Sequence, residues 1–226
     1  MAAFTAKDVA ALREKTGCGM MDCKKALTDA EGNMEKAIDL LREKGLAAAT
    51  KKAGRIAAEG VAFACTNDDN TAGVVIEVNA ETDFVAKNAE FQNFVKICAD
   101  TVMQENPADL DALLACKAAG TDMTVEALVQ DKVLTIGENI KIRRFVRYEG
   151  VVATYIHGGG RIGVLVAAEG ASGDAVKEAL TNIAMQIAAM NPEYISRNDM
   201  SADELAKLRE IIVDSALNDP ATLPKP

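Results

Sequence analysis

Apolar residues recur at helical spacing over the first 45 positions, then switch to alternation from residue 59 onward. Thr5 with Asp8 three residues later reads as a capping box, and Val9 and Leu12 supply the face of a first helix. Thr16-Gly17-Cys18-Gly19 stops it. Met20, Cys23, Ala26, Leu27 and Ala30 form a second stripe. Gly32-Asn33 breaks that helix and caps a third, in which Ala37, Ile38, Leu40 and Leu41 face inward and Gly45 is the expected terminator. Three short helices make a bundle over 1–54, too small for an enzyme pocket and suited to docking. Residues 46–58, alanine-rich and basic, read as a helical or mixed linker.

Val61, Phe63 and Cys65 then alternate, Asn67-Asp68-Asp69-Asn70 turns the chain, and Val74, Ile76 and Val78 return on one face, which predicts a β-hairpin. A helix follows over 89–105, with Phe91, Val95, Cys98 and Val102 on one side, and Asn106-Pro107 ends it. Leu110, Leu113 and Leu114 mark another helix, and 124–134 a further one. The next strand places Ile140, Ile142, Val146 and Tyr148 opposite Lys141, Arg143 and Arg147.

This pattern recurs. Glu149-Gly150-Val151 lies 90 positions after Glu59-Gly60-Val61, and Gly163-Val164-Leu165-Val166 lies 90 after Gly73-Val74-Val75-Ile76. Val176, Leu180, Ile183 and Ile187 then match Phe91, Val95, Cys98 and Val102 at an offset of 85, as Asn191-Pro192 matches Asn106-Pro107. The first copy therefore holds five extra residues between strand and helix, within Glu81-Thr82-Asp83-Phe84-Val85-Ala86-Lys87-Asn88. A phenylalanine in an insertion that only one half carries is a candidate contact residue. The competing reading has Phe84 staple the following helix to the sheet. The elements together give an α+β fold, a three-helix bundle followed by a duplicated core of antiparallel hairpin plus helices.

Charge and composition narrow the chemistry. The chain has 226 residues and a net charge of −9. Residues 1–54 carry 10 basic and 8 acidic side chains, the remainder 15 and 26. Such an acidic protein is poorly suited to coating nucleic acid. No apolar run approaches the ~20 residues of a membrane span. One histidine, His157, with five irregularly spaced cysteines supplies neither a four-ligand zinc site nor a cofactor site, and no G-x-S-x-G elbow accompanies His157. The cysteines read as reduced thiols of a cytoplasmic protein. Gly158-Gly159-Gly160-Arg161-Ile162-Gly163 fits G-x-G-x-x-G, but it runs into a strand rather than a helix, so it reads as a hairpin tip and not a nucleotide loop. Lys141, Arg143, Arg144 and Arg147 read as a solvated sheet face, with RNA contact the sharper and less supported alternative. Neither a catalytic set nor a cofactor is expected.

The runs LREKTGCGMMDCKKAL (12–27), KKAGRIAAEG (51–60), ETDFVAKN (81–88), IGENIKIRR (136–144) and HGGGRIGVLVA (157–167) resemble the bacterial elongation factor Ts family. That resemblance implies nucleotide exchange on the translational GTPase elongation factor Tu, without enzymatic catalysis. It implies a ubiquitin-associated-like domain over 1–54, core halves over 55–145 and 146–200, and the start of a helical arm over 201–226. Arg13, Met20 and Met21 match docking positions. In the matched loop Thr82-Asp83-Phe84-Val85, Asp83 and Phe84 would enter between two helices of the partner and disturb its Mg²⁺ and phosphate contacts. Ile136, Gly137 and His157 match positions of the grip on the partner's third domain. Longer family members continue through the arm and back to the core, so a truncated or short form is expected here, with an apolar face open to dimerisation. The alternative is a scaffold that binds the GTPase without exchange.

Overall fold

The computed structural model describes residues 4–170 and 172–219, in two compact units, Met1–Ala188 and Ala189–Pro226. In the first unit, helices α1 (Ala6–Thr16), α2 (Met20–Asp29) and α3 (Met34–Lys52) form the bundle. The Thr5–Asp8 capping box is formed in full, and Asn33 accepts from the Lys36 amide to start α3. Val9, Leu12, Cys23, Leu27, Ala37 and Leu41 close its own small core.

α3 does not stop at Gly45. It continues into the expected linker as far as Lys52, giving that segment its helical part, and Gly45 is buried in its middle. A Cβ there would stand 3.3 Å from the Gln130 carbonyl oxygen of helix α7 (Val125–Ile136). The glycine is a site of close helix approach, not a terminator. Lys52 adds a bond from Nζ to the Val133 carbonyl, 3.0 Å.

Strands β1 (Glu59–Thr66) and β2 (Ala72–Ala80) form the first hairpin, and β3 (Lys141–Glu149) adds antiparallel to β2. Between them lie α4 (Asp83–Ala86), α5 (Ala89–Glu105), α6 (Leu110–Ala115) and α7. β4 (Val151–His157) and β5 (Ile162–Ala168) form the second hairpin, followed by α8 (Asp174–Met190). Val74, Ile76 and Val78 pack on Phe91, Phe94, Val95, Cys98 and Val102 of α5, all fully buried or nearly so. Burial pushes the Cys98 thiol up to about 12, so it behaves as a core residue rather than a nucleophile. In the second unit Ser201 caps α9 (Ala202–Asn218) in a capping box with Glu204, and α9 has no buried residue. The last residues of the expected arm, 220–226, lie outside the described residues.

The 90-residue repeat has a three-dimensional cause. The Ala62 amide donates to the Gly160 carbonyl at 2.7 Å, and the Val152 amide donates to the Asn70 carbonyl at 3.1 Å. Position 152 is the repeat mate of 62, and 160 that of 70. A Cβ on Gly73 would strike Leu165 and Val152, and one on Gly163 would meet Val75 and Ala62, again repeat mates. Each hairpin thus makes the same contacts on the other, as across a two-fold axis. A gap in either copy would break both sets, which explains the ungapped offset.

The strand reading needs one correction. The β2–β3 register shifts between Glu77 and Val78, pairing Glu77 with Arg144 and Val78 with Ile142. Arg143 is the extra residue of a bulge, and the inward face changes phase there. Ile142, Phe145 and Arg147 share the side of Val78, Ile76 and Val74, while Val146 and Tyr148 are exposed. Arg147 is therefore not on the solvated face with Lys141 and Arg143. Its side chain is 15% exposed, and its Nη1 reaches Glu149 at 2.7 Å. Arg143 and Arg144 both pair with Glu77, at 2.9 and 2.7 Å.

Candidate functional site

Residues 81–88 leave β2 and make one helical turn before α5 begins at Ala89. Thr82 is its N-cap, accepting from the Val85 amide at 3.4 Å. Successive residues on a helix point about 100° apart, so Phe84 and Val85 cannot both face the sheet. Val85 is the one buried, in the cluster with Phe91 and Phe94. Phe84 is 81% exposed. The staple reading of Phe84 is thereby overturned, since Val85 does that work. Asp83 beside it receives Lys87 Nζ at 2.6 Å. The Lys87 hydrogen bond and charge hold its carboxyl below the ordinary range, with a smaller effect from Arg161, so it is ionised at neutral pH.

The loop is tied down from the far side of the core half. The Glu81 and Thr82 amides donate to Glu138 Oε2 at 2.9 and 3.0 Å, and Thr82 Oγ1 donates to Glu138 Oε1 at 2.7 Å. In return Glu81 Oε1 accepts from the Asn139 amide at 2.6 Å, and buried Asn139 donates from Nδ2 to the Arg55 carbonyl at 2.7 Å. The sequence reading missed Glu138, Asn139 and Arg55. Both Arg55 and Glu138 lie inside runs already singled out, but nothing local marks bonds across more than 55 positions.

Ile136 and Gly137 sit at the end of α7, next to that clamp. Ile136 is half-buried against the core, and Gly137 caps α7 with φ +91°. They therefore belong spatially with the Thr82–Val85 loop. His157 ends β4 at the other hairpin, exposed, with Nδ1 3.1 Å from the Tyr155 hydroxyl. The three tip glycines all have positive φ and lead into β5, as the hairpin reading requires. Arg13, Met20 and Met21 are exposed on the bundle, Met21 by 72%, while Leu12, Cys23 and Leu27 face its core.

This arrangement leaves an apolar ring, a carboxylate and two methionine side chains exposed. Among the described residues no group of three or more His, Cys, Asp or Glu could hold a metal ion. The family model described as Elongation factor TS matches residues 81–226. The chain belongs to the elongation factor Ts family. It is 52% identical over 219 residues to the elongation factor Ts of Syntrophotalea carbinolica, covering 95% of this chain and 72% of that protein. Identity is 51% over 222 residues to that of Clostridioides difficile, covering 97% and 73%. To that of Halothermothrix orenii it is 44% over 216 residues, covering 94% and 72%. Elongation factor Ts membership supports a role in translation by guanine nucleotide exchange, for which a binding surface suffices. No helix among the described residues is long and apolar enough to cross a membrane.

Proposed function

We propose that this chain binds elongation factor Tu and promotes GDP release by inserting Asp83 and Phe84 near the Mg²⁺ and phosphate site. One observation carries the reading. A phenylalanine stands 81% exposed on a one-turn helix whose next residue is locked in the core. Exposing a large ring costs solubility and contributes nothing to this fold, so its use lies with a partner. Bound GDP is held largely by Mg²⁺ and by amides around its phosphates. A factor that prefers the nucleotide-free state weakens nucleotide by the same coupling factor, without acid, base or metal of its own. Arg13, Met20 and Met21 dock the bundle on the GTPase domain, and His157 contacts the third domain. Ile136 and Gly137 belong to the same partner-facing set and adjoin the Thr82–Val85 loop.

The test is release of a fluorescent GDP from elongation factor Tu. Accelerated release that Asp83→Ala and Phe84→Ala each diminish supports the wedge. Unchanged release with the protein present overturns it. The second reading, a scaffold without exchange, draws on the thin burial of α8, where only Leu180 and Ala184 are buried. Binding without faster release would select it. The exposed Ile183, Met185 and Met190 of α8 also motivate a homodimer, which sedimentation equilibrium would exclude by showing a monomer.

A further inference from the structure

We propose that Glu138 is the positioning residue of the Asp83–Phe84 wedge, an inference that rests on the exchange reading above. A loop that must enter a partner pays to be ordered on binding, unless the free protein has already ordered it. Here the ordering is done by one carboxylate. Glu138 Oε2 accepts from two successive amides, of Glu81 and Thr82, and Oε1 accepts from the Thr82 hydroxyl. Because that single proton is committed to Glu138, the Thr82 oxygen faces the Val85 amide with a lone pair and caps α4. The same four-residue turn points Val85 inward and Phe84 outward. Glu138 is itself fixed from both sides, by the left-handed cap at Gly137 and by the Asn139 bonds to Glu81 and Arg55. Since α3 of the bundle packs on α7, the helix that ends at Glu138's doorstep, the docking domain and the wedge share one support.

Glu138 need not touch the partner to matter. Its loss should leave docking through Arg13, Met20 and Met21 in place and degrade only what the wedge does after docking. The measurement is catalysed GDP release against concentration of this protein, full chain, with each variant checked for an unchanged thermal melt. Glu138→Ala should lower the maximal release rate about tenfold, the weight of charge-assisted hydrogen bonds, with half-saturation changed less than about twofold. Glu138→Gln, which keeps one acceptor oxygen at the same reach, should recover part of the rate. Glu138→Asp keeps the charge but is a methylene short and should not. In a double-mutant cycle with Phe84→Ala the two losses should be strongly non-additive, because Glu138 acts through the ring. Additive losses, or a full rate in Glu138→Ala, overturn the proposal. If the wild-type chain fails to accelerate release, the exchange reading falls instead, and amide hydrogen exchange then judges the clamp. Faster exchange over 81–86 in Glu138→Ala than in wild type sustains it, and equal protection overturns it.

Discussion

The two halves of the core share a hairpin and a following helix, yet they use them differently. In the first half α5 buries seven residues, from Phe91 to Val102, between the sheet and the neighbouring helices. In the second half α8, matched to it residue for residue at an offset of 85, buries two. Both helices end at an asparagine with positive φ, Asn106 at 46° and Asn191 at 45°. Both hairpins open with a positive-φ glycine against the returning strand, Gly60 and Gly150. What repeats is what the hairpin-to-hairpin interface and the helix ends demand. What differs is the third strand, the helices packed on α5, and the 81–88 loop with its exposed ring. Duplication supplied a scaffold, and the asymmetric additions carry the candidate site.

The sharpest way to break this comparison is to truncate one residue of the apolar stripe in each of the two helices. Phe91→Ala should destabilise the chain by about 3–5 kcal/mol, as deletion of a fully buried ring does. Ile183→Ala, at the position matching buried Cys98 but 47% exposed, should change stability by less than about 0.5 kcal/mol. Equal losses in denaturant melts would mean that α8 is covered in solution.

The matched glycines come next. A Cβ at Gly60 would stand 2.1 Å from the Val78 carbonyl oxygen, and one at Gly150 would stand 2.9 Å from that of Ala168. Gly60→Ala should cost about 2–3 kcal/mol and Gly150→Ala about 1–2, since both have positive φ and both would displace a backbone carbonyl, but the overlap at Gly60 is much deeper. A larger loss at Gly150 would reverse the ranking of the two halves.

Phe84→Ala separates site from scaffold. Its melting should stay within about 0.5 kcal/mol of wild type, because the ring is exposed, while maximal GDP release falls at least about tenfold. A large loss of stability would return the ring to the staple role.

The smallest effect concerns the pairing of β2 with the third strand, unique to the first half. Burial raises the Glu77 carboxyl, but the Arg144 and Arg143 hydrogen bonds and charges outweigh it and hold the group below its ordinary range. A depressed carboxyl contributes stability above its unfolded pKa, and that contribution is lost as pH falls through the folded value. Glu77→Gln should therefore cost less than about 1 kcal/mol at pH 7, its partners being largely exposed. The gap to wild type should close on acidification below about pH 4. A gap that persists at pH 2 would point to packing instead of charge.

Local pattern carried much of this fold. The capping box at Thr5, the Asn33 cap, the limits of α5 at 89 and 105 and the two hairpins were legible because each depends on residues within a few positions. Gly45 misled for the same reason. A glycine at the end of an apolar stripe looks like a stop until the helix that needs its missing side chain is known. Strict alternation likewise misplaced Arg147, because one bulge at Arg143 reverses every later side chain. At the site, the sequence marked the 81–88 insertion and Phe84 but left its direction open, and it gave no sign of the Glu138 clamp.

The sequence by itself determined most of the elements, the repeat and the family, since periodicity, caps and ungapped motifs are written along the chain. Only the tertiary structure decided which way Phe84 points and what holds it. That choice follows from one helical turn with room for a single inward side chain, and from a carboxylate brought back across 56 residues to meet the amides of the turn.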